Sequence, residues 1–405
     1  MKFFKAFGLL ALLILVILFS SGLLLLVLAL AFPQAFASGE LTPVVISLIV
    51  AVTVVGWNLL AGENGSIKGV GLLILLAFAA AFPLLFPNGE VTSIAFFTLM
   101  FAAMVTGWNL LAGYSGYLSL GHVVYFGLGA YALALICEHW NVPAGYGIFL
   151  LVPVAGLIAA VIAIPAGWVA LRVRRHAFII VTIAMFFIGQ LLAENLTNVT
   201  NGTTGLDLPF PLAWGGDFFN TPFYYAILLL LLLAIALSWW VRHSKYGLGL
   251  LAIRDDEDRA RGLGVKTEIS KLTAYVLAAL IIGMAGAIWS YFIGAVYPMS
   301  AFDPTFDVTI ALMGFLGGIG TISGPIVGAL LLEPLRQTLA ANAPDWYLVI
   351  YGGLLLLVLL LLPRGILPTL QERWQKYRAL RQSERPSDDI VISSLPEQGK
   401  PANIT

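Results

Sequence analysis

From Ala252 to Val265 the chain reads AIRDDEDRARGLGV, with Asp255, Asp256, Glu257 and Asp258 set ahead of Arg259 and Arg261. Acids early and bases late complement the dipole of a short helix, Asp255 and Arg259 are spaced as an i, i+4 pair, and Gly262 or Gly264 can end the helix. The chemistry this offers is ionic docking rather than catalysis, set against the plainer reading of a solvated loop helix. Two other stretches concentrate glycine and small hydroxyls. GYSGYLSLGHVVYFGLGAY, residues 113–131, carries Gly113, Ser115, Gly116, Ser119, Gly121 and His122. GFLGGIGTISGPIVGA, residues 314–329, carries Gly317, Gly318, Gly320, Thr321, Ser323 and Gly324 ahead of Pro325, which suits a helix start. Runs of this kind either pack helices closely or free backbone groups beside a transport path, and residue type leaves both open.

The elements that must hold these segments are apolar helices. Of the 405 residues 60% are apolar and 10% charged, against about 25% charged in a soluble domain. Continuous apolar runs at 7–32, 41–61, 68–88, 91–112, 146–171, 223–241, 269–293 and 345–362 each approach the ~20 residues that span hydrocarbon as a helix. Shorter, Gly-broken runs lie at 119–137, 177–196, 306–320 and 324–340. Strand-like alternation is missing from runs such as Leu228–Leu233, so a barrel is excluded. The fold class expected is all-α: a polytopic membrane protein of about 10–12 spans, including Gly-interrupted or re-entrant helices.

With a cytoplasmic amino terminus and every run crossing, all Lys and Arg except Arg336 fall inside, while Glu40, Glu90, Glu138, Asp207, Asp217, Asp303 and Asp345 fall outside. That bias sets both termini in the cytoplasm and the 252–265 segment with them. The opening stretch has Lys2, Lys5, an apolar run and Ala35-Phe36-Ala37, which resembles a signal peptide; its length favours a retained helix. Three parts follow: amino-terminal helices 1–90, a helical domain 91–366, and a basic tail 367–405 with Arg373, Lys376, Arg378, Arg381 and Arg385 around Trp374 and Tyr377, suited to a lipid surface.

Enzyme chemistry finds no support in the sequence. The Gly-Lys pair Gly399-Lys400 is followed by Pro401, so no phosphate loop is present. His122, His139, His176 and His243 are scattered, and Cys137 is the single cysteine, read as a buried apolar residue. No metal or other cofactor and no nucleic-acid partner is expected. Acids such as Glu63, Glu90 and Glu138 fall at helix ends rather than at membrane depth, which places the energy source on another subunit.

GWNLLAG occurs twice, at Gly56–Gly62 and at Gly107–Gly113. Each copy is expected to close an apolar helix with Trp57 or Trp108 at the membrane boundary and a final glycine as a left-handed cap. The longest outer loop, 195–222, has no Lys or Arg; its Asn-x-Thr patterns at Asn195, Asn198 and Asn201 are discounted as chance occurrences.

AIRDDEDRARGLGV resembles the cytoplasmic coupling segment of ABC-importer permeases. In order, the 113–131 run, RVRRHAFIIVTIA (172–184), GMAGAIWSYFIG (283–294), the 314–329 run and LLPRGI (361–366) resemble branched-chain amino acid permeases of the LivM type over residues 90–370. The resemblance implies import of branched-chain or other neutral amino acids, with urea or short amides as the alternative substrate. It implies a second, related permease, two cytoplasmic ATP-binding subunits and an extracytoplasmic substrate-binding protein. Residues 254–264 would dock on the ATPase, with Ala252, Arg254, Asp255, Glu257, Arg259, Ala260 and Gly264 as the coupling set, and the two glycine runs would line the path. Arg261 departs from the family pattern, and residues before 90 lie outside it. A self-sufficient carrier or channel is the rival class, disfavoured by the scarcity of buried acids.

Overall fold

The computed structural model describes residues 65–86, 88–211, 214, 220–346, 349, 351–353, 356, 360 and 365–383, with 50 and 54. The amino-terminal runs 7–32 and 41–61, the first GWNLLAG and most of the 345–362 run therefore lie outside the described residues.

The expected runs return as helices: α1 (Gly65–Leu85), α2 (Gly89–Ser115), α3 (Val123–His139), α4 (Val152–Ala170, led by a 3₁₀ turn from Tyr146), α5 (Arg175–Asn195) and α6 (Thr221–His243). Two short charged helices follow, α7 (Lys245–Asp255) and α8 (Glu257–Gly262), then α9 (Thr267–Ile293), α10 (Pro304–Gly317), α11 (Gly324–Asn342) and α12 (Ile366–Ser383). Among the described residues five helices are long and apolar enough to cross a membrane, and the protein is an all-α, polytopic membrane protein. Among the described residues the departure from helix is a two-residue antiparallel ribbon, Leu206–Asp207 (β1) in the 195–222 loop on Ala295–Val296 (β2) just after α9.

Two helices form the axis. From Phe96 to Ser115 almost every α2 side chain is buried, and α9 is buried nearly as completely. Neither has a polar stripe, and the burial of most of each places them inside the bundle rather than against lipid. α2 packs against α6, α9 and α11, and α9 against α3 and α4. Glycine permits the closest approach: a Cβ at Gly286 would strike the Phe126 carbonyl, and one at Gly129 the Gly283 carbonyl. α4, α5 and α6 turn Leu157, Val161, Ile180, Phe187, Leu191 and Leu229 outward, as lipid-facing helices do. Cys137 is buried, as expected.

Chain direction brings Gly113–Tyr117, Arg172–Arg175, Arg242–Lys271 and Gly318–Thr321 to one end of the bundle. The other end gathers the β1–β2 ribbon and the Gly145 amide, which Tyr291 holds by its hydroxyl at 3.1 Å. Three charges are buried inside expected runs, where sequence reading assigned them no role: Lys271, Asp307 and Glu333. Glu333 accepts from Arg336 at 2.6 and 2.9 Å and from Gln337 at 2.9 Å, so Arg336, the exception to the charge bias, is held by a neighbouring carboxylate. Asp307 accepts from the Val123 amide at the start of α3.

Candidate functional site

The charged segment is two helices, not the single one expected over 254–264. Ser244 caps α7, accepting from the Gly247 amide at 3.1 Å. The chain then extends at Asp256 (φ −156, ψ 111), whose carboxylate accepts the Asp258 and Arg259 amides at 3.0 Å each and so starts α8. These bonds, led by the Arg259 amide, hold the Asp256 carboxyl below the usual carboxylate range. Asp256, rather than Asp255, pairs with Arg259, at 3.0 Å, because the break at Asp256 removes Asp255 from the α8 register. At the far end Gly264 takes φ 87 and the Val265 amide returns to the Ala260 carbonyl at 3.1 Å, closing α8 as a Schellman turn.

The segment has two faces. Arg259 and Leu263 point away from the bundle, with Leu263 84% exposed, and the exposed Asp258 carboxylate lies 3.6 Å from Arg174 Nη2. Glu257 and Ala260 point into it. Lys271 Nζ donates to Glu257 Oε1 at 2.6 Å and to the Tyr117 hydroxyl at 3.0 Å, while the Tyr117 hydroxyl donates to Glu257 Oε2. Burial pushes the Glu257 carboxyl up, but the bonds from Lys271 and Tyr117 outweigh it and hold the group below the usual range. Burial and the adjacent carboxylate push the Tyr117 hydroxyl up, so it remains a donor. A cleft of about 820 Å³ between residues 171–176 and 255–261 opens beside this triad. Ala252 is partly buried and Asp255 exposed at its rim.

Both glycine runs break their helices and meet at this end. α2 continues through Gly113 to Ser115, and the left-handed cap is Gly116 (φ 75) rather than the expected Gly113. Residues 116–122 then cross without helix before α3. The second run separates α10 from α11, with Gly318 and Gly320 at positive φ and Pro325 in the first turn of α11, as expected. Thr321 Oγ1 donates to the Gly318 carbonyl at 2.8 Å and accepts the Gly324 amide at 2.9 Å, which sets the turn.

The second GWNLLAG fastens these breaks. Trp108, expected at the membrane boundary, is 1% exposed; its indole donates to the Ser119 carbonyl at 2.8 Å, because the 116–122 crossing folds back over α2. Asn109 Oδ1 accepts the Gly320 amide and its Nδ2 donates to the Thr321 carbonyl, both at 2.8 Å. A Cβ at Gly113 would strike Asn109, one at Gly121 the Thr182 carbonyl, and one at Gly317 the Gly324 carbonyl. Close packing, one of the two readings left open, is thus visible at Gly113, Gly121, Gly317 and Gly324 in this conformation. Ser115 bonds the Leu111 carbonyl at 2.7 Å, and Ser323 precedes α11. His122 and Ser119 are buried, His122 beside Tyr125 and Tyr275, and among the described residues neither ring nitrogen of His122, nor the Ser119 hydroxyl, has a hydrogen-bond partner.

Sequence reasoning missed Tyr117, Arg175, Thr182 and Lys271. Lys271 had a usable signal, a lone cation inside the apolar run 269–293. Among the described residues no group of acids, histidines or cysteine could hold a metal.

Comparison with known proteins gives a concordant result. The family model described as branched-chain amino acid transport system / permease component matches residues 90–359, from the start of α2 onward. The chain is 30% identical over 300 residues to the high-affinity branched-chain amino acid transport system permease protein LivM of Escherichia coli K12, covering 68% of this chain and 69% of that one. To LivM of Salmonella typhimurium it is 29% identical over the same coverage. To the permease protein LivH of Salmonella typhimurium it is 27% identical, covering 66% of this chain and 91% of that one. No solved structure matches the chain.

Proposed function

This chain belongs to the family of branched-chain amino acid transport permease components, and from that premise we propose that it is the membrane permease subunit of an ATP-driven importer of branched-chain amino acids. Similarity to both LivM and LivH supports a paired assembly, in which this chain stands beside a second, related permease. ATP hydrolysis resides on two separate cytoplasmic subunits, and an extracytoplasmic binding protein delivers substrate to the end bearing the β1–β2 ribbon. The termini and the charged end face the cytoplasm, consistent with positive-inside bias.

The observation that carries the reading is the two-faced segment Lys245–Gly264. Its inner face is fixed to the bundle by Glu257, Lys271 and Tyr117, while Asp258, Arg259 and Leu263 are exposed and open to a partner. Movement of the ATPases displaces α7 and α8, and the displacement reaches the breaks at 116–122 and 318–323, between which access to the path is switched. His122 and Ser119, with unpartnered polar atoms at the start of α3, are the groups of the first run best suited to meet a polar substrate once the breaks move.

Uptake of labelled leucine into proteoliposomes holding the complete complex tests this. It is expected to need internal-face ATP and loaded receptor. Uptake by this chain alone without ATP would support the self-sufficient carrier instead.

A further inference from the structure

Arg254 lies in the charged segment, yet its side chain does not face outward with Arg259 and Leu263. It runs into the bundle, where Nη1 donates to the Gly113 carbonyl near the end of α2 at 2.8 Å. Two glycines make room for it. Gly116 flanks its aliphatic stem, with a Cβ there 3.3 Å from Arg254 Cγ, and Gly320 faces the guanidinium so closely that a Cβ would collide with Nη1. Both take positive φ, 75 and 82, so backbone and space each favour glycine there. The base of the side chain is itself braced: Arg175 Nη2 donates to the Ile253 and Arg254 carbonyls at 2.9 and 2.7 Å. One turn before Gly113, Asn109 holds the Gly320 amide and the Thr321 carbonyl.

We infer that Arg254 is a positioning residue that transmits motion of the charged segment to both glycine breaks at once, and that it takes no part in gripping the ATPase. The inference rests on the proposed docking of the ATPase on this segment. A guanidinium can hold a carbonyl where one bare glycine backbone, Gly320, leaves room for its head and another, Gly116, for its stem, and its charge makes the bond stronger than a neutral one. α7 therefore cannot shift along the bundle without pulling the end of α2 or breaking this bond. The 318–323 turn follows, because Asn109 ties it to α2. Two jobs are divided between two faces: Asp258, Arg259 and Leu263 are held by the motor, and Arg254 carries the pull inward.

The test uses the complete complex with R254K, R254Q and G320A, the last leaving Arg254 in place but filling its seat. Three readouts are taken on each: ATPase subunits recovered with the permease, stimulation of ATP hydrolysis by loaded receptor, and the melting midpoint. R254Q and G320A are expected to retain ATPase subunits at the ratio of the unaltered complex while receptor stimulation falls about tenfold, with R254K intermediate. Stimulation within about twofold of the unaltered complex in both R254Q and G320A would overturn the inference. So would loss of ATPase subunits in step with stimulation, which would make Arg254 part of the grip, or a fall in stimulation that tracks the melting midpoint across all three variants. Failure of the unaltered permease to retain any ATPase would instead overturn the proposed function, and the inference with it.

Discussion

The Asn109 side chain donates to the Thr321 carbonyl at 2.8 Å across 212 residues of chain, and its amide oxygen takes the Gly320 amide at the same distance. One residue of the repeated heptapeptide thus pins the turn between α10 and α11 to the axis of the bundle. Asn109→Ala leaves the buried Gly320 amide without a partner, costing about 1–3 kcal/mol, and the partly buried Thr321 carbonyl without its donor. A markedly lower melting midpoint in detergent is expected, with Asn109→Asp intermediate, since it keeps the acceptor for Gly320 and loses the donor to Thr321. Unchanged melting in both variants would remove the clamp from the account.

Lys271 is 3% exposed and faces Glu257 at 2.6 Å. Removing one partner of a buried pair costs about 3–5 kcal/mol, because the other charge stays behind. Lys271→Ala is therefore expected to destabilise α8 on the bundle more than the double change Lys271→Met with Glu257→Gln. Protection of the 257–265 amides against hydrogen exchange reads this directly, and equal protection in both variants would count against it.

The same carboxylate gives the segment a pH dependence. Its folded pKa lies below the ordinary Glu value of about 4.3, so its contribution is full above that value and is lost as pH falls through the lower folded one. Protection of the 257–265 amides against hydrogen exchange is expected to hold from neutral pH down to about 5 and to loosen only in stronger acid. Loosening that begins near neutrality would show that another group holds α8 down.

Glycines divide into two kinds. A Cβ at Gly286 meets the Phe126 carbonyl, whereas one at Gly262 meets nothing within 4 Å. Gly286→Val is expected to abolish recovery of folded protein, and Gly262→Ala to leave yield and melting within the normal spread. Equal tolerance at both positions would contradict the close approach of α3 to α9.

The helices were legible because lipid leaves apolar chain few alternatives: α2, α4, α5, α6 and α9 fall on the expected runs. The charged segment and both glycine breaks were legible for the same reason, as interruptions of an otherwise uniform composition. What was not legible is which residue meets which. Trp108 has the composition of a boundary residue, and only the return of 116–122 over α2 buries it. Asp255 and Arg259 have helical spacing, but Asp256 breaks the helix by capping the next one. Lys271 and Asp307 look like stray charges until Tyr117 and Val123 are in place, whereas Glu333 and Arg336 are i, i+3 neighbours. Pairings across such separations follow from tertiary packing, which local spacing does not carry.

The central claim is that the exposed face of α8 is where a separate ATPase takes hold, and cysteine cross-linking from position 263 addresses it most directly. In the complete complex, Leu263→Cys with a short bifunctional reagent is expected to join the permease to an ATPase subunit, and the join should vary with nucleotide. The same cysteine at Leu229 on the lipid-facing side of α6 should give none. A residue-263 cysteine that reacts only with reagents added from outside the cell, or that never reaches an ATPase subunit in an active complex, would contradict the account.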